Sequence, residues 1–206
     1  TGLRSYRLAV WDEMPRTGLP DRFESWHDYE SHVKVLAEVG VIEDATKIWW
    51  DLRPSARFPT LEMRIADLCP MLDDGIAIAA LYRCWLRFLW RLRSSNQRFR
   101  EYSRLLIDEN RWRAHRYGLY EGLIYYGRRA LVPMSELVEE LISLVMEDAQ
   151  VLDCVREIEH ARVIVERGTS AHRQVATQRA AMSADGESNA ALCSVVDQLL
   201  AETIAD

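Results

Sequence analysis

Apolar residues recur with helical spacing in a segment near the start of the chain. Between positions 26 and 36 they return every three or four residues, which predicts a helix that Ser25 caps and Gly40 ends. The first twenty residues contain two glycines and two prolines between short apolar pieces. That composition predicts loops around a short strand at 7–11.

The repeat then changes from helical to alternating. Two stretches, 47–53 and 60–67, carry apolar residues at alternate positions, and the proline-containing segment 54–59 separates them. Alternation on both sides of a turn is typical of a β-hairpin. We therefore expect a pair of short antiparallel strands here.

From Leu72 onward the pattern is helical almost to the end. The predicted elements are a helix from Leu72 through Leu92, a helix at 99–117, a hairpin at 123–133 that turns at Gly127, and helices at 135–149, 153–167, 169–182 and 188–204. The sequence thus indicates an α+β protein. We expect one region over 1–206, in which 1–70 bears the first strands and 71–206 is mainly helical.

The charge balance narrows the classes of partner. The 206 residues include 26 Lys and Arg against 32 Asp and Glu, so the formal net charge is −6. Binding to nucleic acid needs a basic surface field, which an acidic chain lacks overall. Eight arginines between 91 and 116 offer a local basic patch, but acidic residues are interleaved with them. We expect no nucleic-acid partner, and salt-dependent binding of an oligonucleotide would argue otherwise.

The cysteines indicate a reducing compartment. Cys69, Cys84, Cys154 and Cys193 lie far apart without a CxxC spacing. That spacing disfavours a zinc ribbon or a dense disulfide framework. We therefore expect reduced, core-filling thiols in a cytoplasmic protein.

The apolar stretches do not predict a membrane protein. The most apolar one, 76–92, is interrupted by three arginines, so it cannot cross a bilayer uninterrupted. The chain begins at Thr1 without a methionine or the charged start of a signal peptide. We expect no membrane anchor, and we expect the chain to be part of a longer protein.

Charged residues of the predicted hairpin are candidates for chemistry. Because side chains alternate along a strand, Asp51 and Arg53 share one face of the first strand, and Glu62 and Arg64 share one face of the second. Carboxylates suit Mg2+, and arginine forks suit phosphate or carboxylate. This face could therefore hold an anionic, metal-bound ligand. The structural alternative is a set of cross-strand ion pairs on a solvated sheet face.

Other motifs point to no further site. The five histidines lack a partner at metal-ligand spacing, so structural or surface roles are expected for them. The glycine patterns of dinucleotide-binding and P-loop proteins are absent from the sequence. A bound nucleotide would therefore have to lie against the sheet.

Four segments in a fixed order resemble one protein family. They are WDEMPRTGLPDRF (11–23), WWDLRPSARFPTLEMRIAD (49–67), ENRWRAHRYGL (109–119) and RGTSAHRQ (167–174). Together they resemble the bacterial carboxylate-amine ligases, that is, the type-2 glutamate-cysteine ligases, over the C-terminal half or somewhat more. The resemblance implies a fold similar to glutamine synthetase, with helices behind a curved antiparallel sheet. Members of the family are longer at the N-terminus, where further metal-binding glutamates are expected.

The resemblance implies ATP-dependent amide formation through an acyl phosphate. The implied substrates are a glutamate-like carboxylate and a cysteine-like amine, with ATP and Mg2+ as cofactors. By similarity to the Glu-x-Arg strand of the wider superfamily, Glu62 is expected to bind Mg2+ and Arg64 to clamp the transferred phosphoryl group. Arg53 would be a second cation on the same face.

The resemblance also selects residues outside the hairpin. Asn110 and Arg113, on the predicted helix at 99–117, are expected to reach substrate or nucleotide at the edge of the sheet, and Arg7 is a third candidate cation. Without the resemblance, an ion pair between Glu109 and Arg113 on a solvated helix would explain the same pattern. Self-association into a homo-oligomer is left open.

An alternative function belongs to a different class. The chain could be a non-catalytic helical interaction module that derives from such a ligase and lacks half of the active site. Calorimetry with ATP and Mg2+ separates the two, because a module of this kind would release no heat at saturating ligand.

Overall fold

The computed structural model describes residues 2–185 and 188–204. The helices are α1 (Tyr6–Trp11), α2 (Trp26–Glu38), α3 (Leu72–Ser94), α4 (Arg104–Tyr117), α5 (Met134–Val151), α6 (Val155–Arg167), α7 (Ser170–Asp185) and α8 (Ser188–Ile204). The strands are β1 (Leu52–Pro54), β2 (Leu61–Met63), β3 (Leu123–Tyr125) and β4 (Ala130–Val132), paired antiparallel as β1–β2 and β3–β4. The residues that the structure describes are therefore mostly helical and form two small antiparallel sheets, which confirms the α+β class.

The chain divides into two compact units. One comprises residues 6–67, with α1, α2 and the hairpin β1–β2. The other comprises residues 2–5, 68–185 and 188–204 and contains the remaining elements. The assignment of 1–206 to one region stays a prediction. None of the helices in the described residues has the length and apolarity needed to cross a membrane.

Of the two N-terminal helices, α2 agrees with the local sequence pattern and α1 does not. Helix α2 follows the prediction, because the side chain of Ser25 accepts a hydrogen bond from the backbone N–H of Asp28 and caps the helix. The strand predicted at 7–11 is wrong, since these residues lie within α1. Arg7 and Trp11, one turn apart, contact each other, with the guanidinium carbon 5.4 Å from the ring centroid. Five residues were too few to distinguish a period of 2 from one of 3.6.

The first hairpin is shorter than its alternating pattern predicts. Leu52 pairs with Met63, Arg53 with Glu62 and Pro54 with Leu61. Before β1, the chain bonds elsewhere, since Trp49 N–H donates to the Arg16 carbonyl and Asp51 N–H to that of Gly18. The hairpin is short because these backbone N–H groups bond to the loop at 16–18 and not to the opposite strand.

Helices α3, α5 and α6 enclose the main core of the larger unit. Its buried members are Ala80, Cys84, Phe88, Ile142, Val145, Ala149, Cys154, Ile158 and Ala161. Phe99 packs edge-on against Trp85 and Phe88, so α4 begins at Arg104 and not at the predicted 99. Tertiary packing here outweighs the helical tendency of residues 99–103.

The cysteines confirm the predicted core role in part. Cys84 and Cys154 are buried with their sulfur atoms 3.4 Å apart, and all four cysteines are free thiols. Burial, together with the neighbouring Cys154, raises the pKa of the Cys84 thiol to about 12. The core-filling role is wrong for Cys193, which is exposed, and Cys69 is only half-buried.

A buried carboxylate links α5 to α3. The side chain of Asp148 is inaccessible to solvent and accepts hydrogen bonds from Arg87 and from Arg91, whose Nη2 lies 3.0 Å away. Burial alone would raise the pKa of Asp148, but these hydrogen bonds and charges hold it below its usual value. The ion pairs therefore favour the charged form at neutral pH.

Replacement of Asp148 by alanine should destabilise the larger unit by about 3–5 kcal/mol, because two arginines would lose a buried partner. Urea unfolding at pH 7 measures this loss. The stabilisation exists above the unfolded-state pKa and should disappear as the pH falls through the lower folded-state pKa. Glu139→Ala, which removes an exposed partner of Arg162, is the matched control. Equal losses in the two variants would contradict the prediction.

Candidate functional site

Three of the predicted site residues meet on the first hairpin. Arg53 and Glu62 are direct cross-strand neighbours, and the Arg53 Nε and Nη2 atoms each lie 2.9 Å from Glu62 Oε2. Arg64 Nη1 lies 3.5 Å from the same oxygen. Three members of the charged face inferred from strand alternation therefore lie together, and the Glu62 carboxylate is shared between two guanidinium groups. The fourth, Asp51, precedes β1.

Arg53 is anchored within the fold. It is only 9% exposed. Its Nη1 donates hydrogen bonds to the carbonyl oxygens of Thr46 and Ile48, and its Nε and Nη2 contact Glu62. A guanidinium with these partners has little freedom to follow a ligand. The geometry thus supports a positioning role for Arg53, which holds Glu62 in place.

The electrostatics of Glu62 favour the charged carboxylate. Partial burial acts to raise its pKa, but the hydrogen bond and charge of Arg53, with Ser55 and Arg64, lower the pKa below its usual value. From the sequence, this carboxylate is expected to bind Mg2+. Because it pairs with the buried Arg53, it also contributes to the stability of the hairpin.

The described residues do not form a magnesium centre by themselves. Mg2+ takes six oxygen ligands, and no group of three acidic, histidine or cysteine side chains within 2–185 and 188–204 could hold a metal ion. Glu62 supplies one carboxylate, which already binds two arginines. Its role as a metal ligand stays a prediction.

Arg7 and Arg64 meet at one indole ring, in what we call the Trp11 cluster (Arg7, Trp11, Trp49 and Arg64). The guanidinium carbons of Arg7 and Arg64 lie 5.4 and 5.9 Å from the Trp11 ring centroid. Trp49 stacks on Trp11 at 5.2 Å, and its own N–H donates to the Thr46 carbonyl. Two of the candidate cations therefore share one aromatic support.

The Trp11 cluster contains hydrogen-bond donors without acceptors. Arg7 Nη1, Trp11 Nε1 and Arg64 Nε are buried atoms for which the structure gives no hydrogen-bond partner. A buried donor left unpaired costs about 1–3 kcal/mol, so such groups need an explanation. Sequence reasoning missed Trp11. The available signal was its position one helical turn after Arg7, which the strand assignment concealed.

Asn110 and Arg113 lie in the larger unit and bind backbone. The Asn110 side chain accepts from Ile124 N–H at 2.8 Å and donates to the Ile124 carbonyl at 2.9 Å. Arg113 donates to the carbonyls of Gly122 and Glu121. These contacts join α4 to β3 and support a structural role. Contact with substrate or nucleotide stays a prediction for both residues.

Two histidines occupy structural positions, as expected. His160 Nε2 lies 2.9 Å from Asp74, between α6 and α3. His172 is buried against Gly118, where a Cβ atom would come within 2.8 Å of the imidazole. Gly118 also has a positive φ of 63°, so both space and backbone require glycine there.

An aromatic cavity lies in the smaller unit. It has a volume of about 350 Å³, and its walls include Phe23, Tyr29, Leu36, Ile48 and Trp50. Ile48 and Trp50 line the cavity, whereas the intervening Trp49 stacks on Trp11. The cavity and the Trp11 cluster are thus on different sides of this segment, and sequence analysis did not identify the cavity.

Comparison with known proteins identifies related sequences along the whole chain. The family model that describes "Glutamate-cysteine ligase family 2 (GCS2)" matches residues 1–195. A protein of Rhodospirillum rubrum is 56% identical over all of this chain, and one of Jannaschia sp. is 51% identical over the same extent. A protein of Chloroflexus aurantiacus is 40% identical over 99% of the chain.

These three relatives carry the name "Putative glutamate--cysteine ligase 2". The aligned residues cover 53%, 54% and 50% of their respective lengths, so the chain spans about half of each relative. The candidate residues of the hairpin, the Trp11 cluster and α4 all lie within the part matched by the family model.

Replacement of Asn110 by alanine should reduce the free energy of unfolding by about 1–3 kcal/mol, since it leaves the N–H and carbonyl of Ile124 without their partner. Thermal or urea unfolding measures the loss. Gln150→Ala, at an exposed position of α5, is the control and should have almost no effect. Asn110→Ala with unchanged stability would contradict the structural role and favour one in ligand contact.

Proposed function

Because the chain belongs to the glutamate-cysteine ligase family 2, we propose that it forms part of an ATP-dependent carboxylate-amine ligase. The proposed substrates are a glutamate-like carboxylate and a cysteine-like amine, with weak glutamate-cysteine ligase activity. We extend the proposal to a glutamine-synthetase-like fold, a cytoplasmic location and the capacity to form homo-oligomers. The whole protein's activity remains a proposal, since the chain spans about half of its relatives.

The proposed reaction has two bond-forming steps. A carboxylate oxygen attacks the γ-phosphorus of ATP, an O–P bond forms, and the bond to the β-phosphate oxygen breaks to release ADP. The amine nitrogen then attacks the acyl carbon, the C–N bond forms, and the C–O bond breaks to release inorganic phosphate. The amine loses a proton to solvent or to a base. Positioning and charge stabilisation supply most of the catalysis of phosphoryl transfer.

The observation that supports this proposal is the concentration of arginine on one side of the hairpin. Arg64 would bind the transferred phosphoryl group or the acyl phosphate, since guanidinium groups suit these oxyanions. Glu62 accepts a hydrogen bond from Arg64, and its ion pair with Arg53 holds the Glu62 carboxylate in place. The carboxylate would therefore orient the guanidinium of Arg64 through a short chain of ion pairs.

Magnesium, when bound, would supply positive charge that offsets the negative charge of the phosphates. Glu62 is the candidate ligand on this chain, and the described residues do not gather a ligand set around it. The steps above are therefore assigned to arginine side chains alone.

Arg64→Lys should lower kcat/KM by about 100-fold, because lysine keeps the charge but loses the planar fork. The assay follows ADP release and amide product, by mass spectrometry, in the protein that contains this chain. Arg162→Lys, an exposed ion-pair residue of α6, is the matched control and should retain activity. Absence of product, together with absence of heat on titration with ATP and Mg2+, would favour the non-catalytic interaction module.

A further inference from the structure

We propose that Trp11 and Arg7 bind the same oxyanion as Arg64, through the indole N–H and guanidinium donors of the Trp11 cluster. This inference deepens the proposed function, on which it rests for the source of the oxyanion. The source is either a phosphoryl group or a substrate carboxylate, and both present the oxygen acceptors that the cluster lacks.

The first argument is the distribution of unpaired donors. In the described residues, five buried side-chain nitrogen or oxygen atoms have no hydrogen-bond partner. Three of them belong to the Trp11 cluster, namely Arg7 Nη1, Trp11 Nε1 and Arg64 Nε. The other two are histidine Nε2 atoms in the larger unit. Three unpaired donors around one ring indicate a site that a ligand completes.

The second argument concerns the chemistry of that ligand. Guanidinium and indole nitrogens donate hydrogen bonds and do not accept them, so the ligand must supply acceptors. The cluster brings two guanidinium groups to one ring, with Glu62 near Arg64 Nη1 at 3.5 Å. Water would satisfy the donors but carry no charge to match the two guanidinium groups. An oxyanion satisfies both the donors and the charge.

The third argument is that the donors are held before a ligand arrives. Trp11 stacks on Trp49, which the Thr46 carbonyl fixes through the indole N–H. The backbone N–H of Arg64 donates to the Asp51 carbonyl at 2.7 Å. Donors on a fixed support lose little conformational entropy on binding, which favours their use as a binding site.

Two single substitutions separate binding from stability. Trp11→Phe keeps an aromatic ring against Trp49 and the arginines but removes the unpaired N–H. Trp49→Phe makes the same chemical change where the N–H has a partner, Thr46. We expect Trp11→Phe to weaken oxyanion binding about tenfold or more without lowering Tm. We expect Trp49→Phe to lower Tm and to weaken binding less than Trp11→Phe does, because it loosens the support of the Trp11 ring but removes no unpaired donor.

The measurement is the shift in Tm of the protein that contains this chain, with sodium phosphate or sodium acetate against sodium chloride of equal ionic strength. Neither magnesium nor nucleotide is present, so the result is independent of ligase activity. Phosphate also stabilises proteins by exclusion from their surface, so the site is assigned from the part of each shift that Trp11→Phe or Arg7→Gln removes. A larger loss of the phosphate shift assigns the site to a phosphoryl group, and a larger loss of the acetate shift assigns it to a carboxylate. Arg7→Gln should also reduce the Tm shift with the anion that the site prefers. This variant tests the inference if Trp11→Phe fails to fold.

Two results would overturn the inference. One is the same Tm in phosphate, acetate and chloride, which would mean that the cluster holds water only. The other is a Trp11→Phe or Arg7→Gln variant that folds and binds the oxyanion as tightly as the parent chain. Oxyanion binding without any ligase activity would leave this inference standing and reject the proposed function.

Discussion

The geometry of the candidate site depends on the buried guanidinium of Arg53. It reaches back to the carbonyls of Thr46 and Ile48 and across the hairpin to Glu62. A three-residue strand pair is marginal by itself, so these side-chain contacts supply order that the short ladder does not. Through Glu62 the same order extends to Arg64. One cation that is satisfied within the fold thus orders the hairpin and the segment before it.

Two buried carboxylates elsewhere in the protein have all their hydrogen-bond partners within the fold. Asp148 has two arginine partners, and Glu202 on α8 receives two hydrogen bonds from Arg173 on α7. Each of these carboxylates joins two helices, and both oxygens of each accept hydrogen bonds from arginine. The Trp11 cluster differs because buried nitrogens there remain unpaired. That contrast separates charges that stabilise the fold from charges that are available to a ligand.

The sequence predicted the long helices and the hairpin at 123–133 well, but the prediction for α1 was wrong. Residues 188–204 are helical, as their spacing indicates, because many turns sample the helical period. Residues 7–11 were assigned to a strand and are helical, since one turn contains too few positions to distinguish the two periods. Phe99 could not be placed from local pattern, because its position is set by Trp85 and Phe88. The charged residues of the hairpin were therefore predicted from strand alternation, whereas on α1 the family resemblance selected Arg7, and Trp11 was missed.

The structural and the catalytic interpretation of the charged hairpin each explain a different part of this group of side chains. Arg53 and Glu62 form the cross-strand ion pair that the structural interpretation expects, and that pair accounts for their polar groups without any ligand. It does not account for Arg64 Nε or for the indole N–H of Trp11, which are buried without acceptors. A solvated ion-pair network would leave such atoms to water, whereas burial removes that option. The case for a binding site therefore rests on the face of Trp11 and Arg64, and the ion pair of Arg53 and Glu62 is its support.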